Sequence, residues 1–186
     1  MSFVTRNGPD QGTDAIARVA RGLLLAFVVH DLEEVLTATW WSTHGADRLR
    51  RTRLPEGVVR ATTATSTPQM AVATSVVGMG VAGVVAAALL HGSQRPLRAT
   101  TLVFAAHGVT HLASAALLRG YTPGAVTAGV VVIPWGMWAS RSLGASDDRS
   151  GSTRRRDTAA AAAAALTTAL AGHLIGRRLL PQGRTW

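Results

Sequence analysis

Four stretches of this chain, residues 61–94, 99–118, 120–140 and 158–176, contain no Asp, Glu, Lys or Arg, and arginines gather between them. Each is near or above the ~20 apolar residues that cross a hydrocarbon core as a helix. In lipid every backbone polar group must be satisfied internally, so such runs are confined to helices. A fifth stretch, residues 15–42, is as apolar at both ends, Gly22–Val29 and Val35–Trp41, but holds His30-Asp31-Leu32-Glu33-Glu34 at its centre. The expected fold is all-α: an integral membrane bundle of about five transmembrane helices, near 15–42, 69–92, 97–118, 122–140 and 158–178. They form one domain over 15–180, between a tail at 1–14 and another at 181–186. Arg18 and Arg21 ahead of Leu23–Val29 imitate a signal peptide, but acids and a Trp pair follow without a small-x-small cleavage site, so the segment is expected to stay.

Composition agrees. Of 186 residues, 47% are hydrophobic and 16% charged, against roughly a quarter charged in soluble domains. Without cysteine there is no disulfide, thiolate nucleophile or Cys-ligated metal, so any metal needs His and carboxylate ligands. All 19 basic residues are Arg, which removes Schiff-base chemistry and a P-loop lysine. The net charge of +9 does not indicate nucleic acid, because the arginines form clusters at the ends of apolar runs and not a stripe among exposed aromatics. Clusters of that kind suit anionic head groups, so the expected partner is membrane lipid and the expected location the cell membrane, crossed several times. Residues 43–60 and 141–157 read as arginine-rich loops, Thr122-Pro123 as a capped helix start, and Pro134 as a kink. Trp40, Trp41, Trp135, Trp138 and Trp186 read as interface anchors, and His44 and His91 as solvated helix ends. Gly78-Met79-Gly80-Val81-Ala82-Gly83 has dinucleotide-fingerprint spacing but lies inside an uncharged run, where small residues serve helix packing.

The chemistry lies in the ionisable residues at membrane depth. Three of the ten acids fall within Asp31–Glu34, where an unpaired carboxylate costs several kcal/mol. On a helix His30, Glu33 and Glu34 share one face, and Asp31 points about 100° away, as a group that steadies a ligand from behind. His107 and His111, at i and i+4, form a helical H-x-x-x-H pair with Thr110, Ser114 and Tyr121 nearby as orienting groups. His173 falls at a similar depth in its own run. The expected metal ligands are therefore His30, Glu33, Glu34, His107, His111 and His173, with Glu33, Glu34 and Asp31 as the catalytic carboxylates. Two carboxylates with imidazoles suit a divalent ion, iron foremost, as a dinuclear site if both glutamates bridge, with zinc or manganese as alternatives.

The order of His30-Asp31-Leu32-Glu33-Glu34, His107-Gly108-Val109-Thr110-His111 and Tyr121-Thr122-Pro123-Gly124 resembles the HXXEE-domain family of small multi-helix membrane proteins. The likeness spans roughly 23–140; it implies the membrane architecture and the site, and no reaction. From the residues, the expected function is a membrane metalloenzyme, an oxidoreductase acting with non-haem iron on a lipid-like or hydrophobic substrate reached through the bilayer. The alternatives are a zinc-type membrane hydrolase, or an ion or proton transporter or sensor, for which 186 residues without an inverted repeat would require a homo-oligomer.

Overall fold

The computed structural model of the protein describes residues 9–52, 55–57, 59, 65–144 and 151–180, and each regular element among them is helical. Helix α1 spans Pro9–His44, α2 Ala46–Arg50, α3 Thr67–His91 and α4 Gln94–Leu117. A short α5, Ala125–Thr127, passes through a π-helical turn, Ala128–Val132, into α6, Ile133–Gly144, and α7 covers Gly151–Leu179. Both expected tails, except residues 9–14, lie outside the described residues, as do Arg53, Arg60, residues 145–150 and Trp186.

Three helices, α3, α4 and α7, are long and apolar enough to span a membrane. Two of the five expected spans fall short of that measure. α1 has 36 residues, about 54 Å of helix, but carries three acids near its centre; residues 125–144 are apolar but broken into three pieces. The break has a local cause. Pro134 offers no N–H to the preceding turn, and the wider π turn immediately before it takes up the mismatch.

The core forms where small residues let the helices close. The inward face of α1, Val19, Leu23, Ala26 and Phe27, packs on Val81 and Val85 of α3, Leu97 and Phe104 of α4, Val132 of the π turn, and Ala139 and Leu143 of α6. α3 is bounded by a capping box at Ser66 and Gln69 and by Gly92 in the left-handed conformation, φ 63°. α7 runs antiparallel along α3, where a Cβ at Gly172 would lie 2.8 Å from the Ala73 carbonyl oxygen and one at Gly176 2.9 Å from that of Gln69. This Gly-x-x-x-Gly pair, not among the motifs read in the sequence, brings the two helix backbones into contact. Gly172→Leu is expected to separate α7 from α3 and lower stability by about 1–3 kcal/mol, read as a fall in the detergent unfolding midpoint. Gly83→Leu, where a Cβ meets open space, is the matched control. Of the fingerprint-like glycines only Gly78 faces a neighbour, the Phe27 ring at 3.2 Å.

Several expectations change. Arg154–Arg156 belong to α7 and not to a loop, because Asp157 is held by Arg95 through two bonds, Nη2 to Oδ1 at 2.8 Å and Nε to Oδ2 at 3.1 Å. Trp41 is buried against Leu49 and Val59, and Trp135 packs on the main core, so these two are core residues while Trp40 and Trp138 remain exposed. In the fourth expected span the helix begins at Ala125 and not at Thr122. Gly124, at φ 78°, turns the chain, and the Thr122 hydroxyl faces the His111 carbonyl at 3.4 Å.

Candidate metal centre

His30 continues the inward stripe of α1 one turn past Ala26 and Phe27, and Glu34 follows one turn later, so both face α4. There His107 and His111 stand one above the other. His30, Glu34, His107 and His111 each direct one donor atom into a common space, all four within 4.8 Å of one another. Glu34 Oε1 lies 3.0 Å from His111 Nε2, 3.8 Å from His30 Nε2 and 3.9 Å from His107 Nε2, and the Nε2 atoms of His107 and His111 are 2.9 Å apart. Ligands bonded at 2.0–2.1 Å to one tetrahedral ion stand about 3.3–3.4 Å apart, a spacing that these distances bracket.

The hydrogen bonds behind the ligands fix which ring nitrogen faces inward. The Thr127 hydroxyl gives its single proton to Glu33 Oε2 at 2.6 Å, so at 2.8 Å from His30 Nδ1 it accepts, and His30 must carry its proton on Nδ1. That leaves a lone pair on His30 Nε2, which is fully buried and has no hydrogen-bond partner. His111 Nδ1 donates to the Pro123 carbonyl at 2.7 Å, which points Nε2 at Glu34 Oε1, 3.0 Å away. A buried imidazole lone pair facing a carboxylate, as at His30 Nε2, is a repulsive arrangement that a cation between them relieves. The donor set therefore fits a divalent metal ion.

Gly124 closes the site from the far side. A Cβ there would lie 2.8 Å from both His111 Nδ1 and His30 Cε1, so the turn leading into α5 must be glycine for its φ and for the rings it touches. Phe104 stands edge-on to His30, centroids 5.7 Å apart, and Phe27 lies beyond it at 6.1 Å, which keeps one wall apolar. His107 opens the opposite side, with 47% of its side chain exposed.

Of the six expected ligands, four meet here and two stand elsewhere. Glu33 turns to the start of α5, where it accepts from Thr127 N at 2.7 Å, Thr127 Oγ1 at 2.6 Å, Val126 N at 3.3 Å and Tyr121 Oη at 2.8 Å. It caps a helix that begins without a cap of its own. Tyr121 is a lasting donor, since burial pushes its phenol up to about 12. His173 is half-buried on α7, which packs on α3 and α4 and makes no contact with α1 among the described residues. Asp31 is part-buried, and the group steadying His30 is Thr127. The Thr110 and Ser114 hydroxyls bond their own helix, at the His107 and Thr110 carbonyls, each at 2.7 Å. His44 is exposed, stacked on Trp40, and His91 is exposed at the end of α3. Thr127 carries no metal-ligand signature in the sequence, and Gly124 stands there only as the end of the Tyr121-Thr122-Pro123-Gly124 motif.

Compared with known proteins, residues 22–139 match a family described as a protein of unknown function with HXXEE motif. No curated protein and no solved structure matches the chain.

Proposed function

The chain belongs to the family of HXXEE-motif proteins, whose function is unknown, and we propose that it is an integral membrane metalloprotein holding one divalent ion on His30, Glu34, His107 and His111. The observation that carries this is the buried, partnerless Nε2 of His30, oriented by Thr127 and Glu33 toward a carboxylate and two further imidazoles. In this reading α1 and residues 125–144 cross the bilayer as well, making five spans. Support comes from their outward faces: Leu25, Leu32 and Leu36 of α1, and Val126, Val130 and Met137 of the later segment, are all exposed, while His30 and Glu34 turn inward.

We read the activity as oxidation of a hydrophobic substrate with iron. Four protein ligands fill a tetrahedral zinc site, whereas a six-coordinate ion such as iron or manganese keeps two positions open. Hydrolysis also needs a base, and the adjacent carboxylate, Glu33, is committed to four donors. Iron, when bound, supplies oxygen chemistry; the protein's residues do the rest. Thr127 and the Pro123 carbonyl hold the His30 and His111 rings at fixed tautomer and angle. Phe27 and Phe104 exclude water from one wall, and the open flank at His107 admits substrate.

Protein loaded anaerobically with ferrous iron and then exposed to oxygen is expected to consume oxygen and change its optical spectrum, and the zinc-loaded protein to do neither. An unchanged iron spectrum with stoichiometric iron bound would remove the oxidative reading and leave the metal site standing.

A further inference from the structure

A second cavity, of about 540 Å³, lies between α3, α4 and α7. Its walls are apolar and mostly small: Val77, Gly80 and Val84 of α3, Val103 of α4, Ala161 and Ala165 of α7. Arg95 and Asp157 stand at one end, and Arg98 and Arg154 line the groove adjoining them, with no other acid in either lining. That end is where α3 finishes and α4 and α7 begin, the level of one membrane surface.

The depth of the cavity is informative. From Arg95 to Val103 is eight residues of α4, about 12 Å, and from Asp157 to Thr168 eleven residues of α7, about 16 Å. Half of a ~30 Å hydrocarbon core is ~15 Å, the depth of one leaflet. An apolar cleft one leaflet deep, in helices that face lipid, matches a single acyl chain. Three arginines stand at its mouth against one aspartate: Arg95 holds Asp157 and Arg98 gives Nη1 to the Leu143 carbonyl at 3.3 Å, which leaves a net positive mouth for the phosphate of a head group. Phosphatidylcholine has the same chain but a compensating cation, so the charge at the mouth selects an anionic lipid.

We propose that this cleft binds one anionic phospholipid, its phosphate at Arg95, Arg98 and Arg154 and one acyl chain between α3, α4 and α7. The chain points to the metal centre: Thr100 and Val103 line the cleft, and His107, exposed on the open flank, follows Val103 by one turn, about 6 Å. For the oxidation read above, the seated lipid, or a hydrocarbon of the same shape, is thus the substrate class: a C–H bond becomes C–OH, one oxygen atom of dioxygen entering the chain and the other leaving as water with two protons and two electrons from an external reductant. That last step rests on the metal reading; the binding does not.

Native mass spectrometry of the detergent-purified, delipidated chain, mixed with equimolar dioleoyl phosphatidylglycerol and dioleoyl phosphatidylcholine, tests the proposal. One phosphatidylglycerol per chain is expected, preferred at least ~10-fold, which corresponds to about 1.4 kcal/mol. Gly80→Leu should abolish retention, since a Cβ there meets no atom within 4 Å and the side chain grows into the cleft without disturbing the helices. Ala164→Leu fills the cleft from the opposite wall, and Arg154→Gln should erode the preference while keeping the chain pocket. Glu34→Gln should retain the lipid in full, which separates this site from the metal. Equal retention of both lipids by the unaltered protein, or undiminished phosphatidylglycerol on Gly80→Leu and Ala164→Leu, would overturn it.

Discussion

Replacing Glu33 with Gln is expected to destabilise the fold by on the order of 3 kcal/mol and to weaken metal binding 10–100-fold, although its carboxylate stands outside the four-residue cluster. The carboxylate accepts from two backbone N–H groups, the Thr127 hydroxyl and the Tyr121 phenol. An amide of the same size offers one acceptor oxygen and a pair of donors, so one side of it must face N–H or O–H groups that no longer have an acceptor. Thr127 then loses its reason to accept from His30, whose ring is free to turn its protonated nitrogen into the site. The measurement pairs a denaturant midpoint in detergent with a competitive chelator titration. Glu33→Asp, a shorter carboxylate, should recover part of each loss. Unchanged metal affinity in Glu33→Gln would mean that His30 is oriented by something other than Thr127.

Gly124→Ala should remove metal binding almost entirely. Two independent penalties act at this position: a φ of 78°, which alanine adopts reluctantly, and a Cβ placed 2.8 Å from ring atoms of both His30 and His111. With both rings as ligands of the proposed site, the clash is relieved by moving the donors apart, and a misplacement near 1 Å suffices to lose a metal site. Helix content should change little, because Gly124 precedes α5 and supports no helical hydrogen bond beyond its first turn. Circular dichroism and metal analysis on the same sample distinguish a lost site from a lost fold.

Much of this arrangement was legible because helical periodicity acts locally. The i, i+4 spacing of His30 with Glu34 and of His107 with His111 puts each pair on one face whatever the rest of the chain does. Long uncharged runs likewise announced α3, α4 and α7. What distinguishes Glu34 from its neighbour Glu33 is not local: about 100° of helix rotation separates them, and the side on which α5 begins decides which one is consumed as its cap. The position of His173 is set in a similar way. Depth along the membrane normal makes it comparable with His107, but the Gly172 and Gly176 contacts seat α7 on α3, and among the described residues it does not touch α1. The tryptophan pair carries the same lesson, since Trp40 and Trp41 are adjacent in sequence yet one is exposed and the other buried. Capping by a side chain from a distant helix, and the turn of one residue against the next, are decided by tertiary packing.

The central claim is that His30, Glu34, His107 and His111 share one metal ion, and elemental analysis of detergent-purified protein tests it most directly. The account predicts one equivalent of a divalent transition metal per chain, falling to background in Glu34→Ala and His111→Ala while Asp31→Asn and His173→Ala keep it. Unaltered protein, loaded with ferrous iron, manganese or zinc and then dialysed, that retains none of them would contradict the account. So would full retention by Glu34→Ala; either result would leave the four side chains as a buried hydrogen-bonded cluster sharing protons and not a metal.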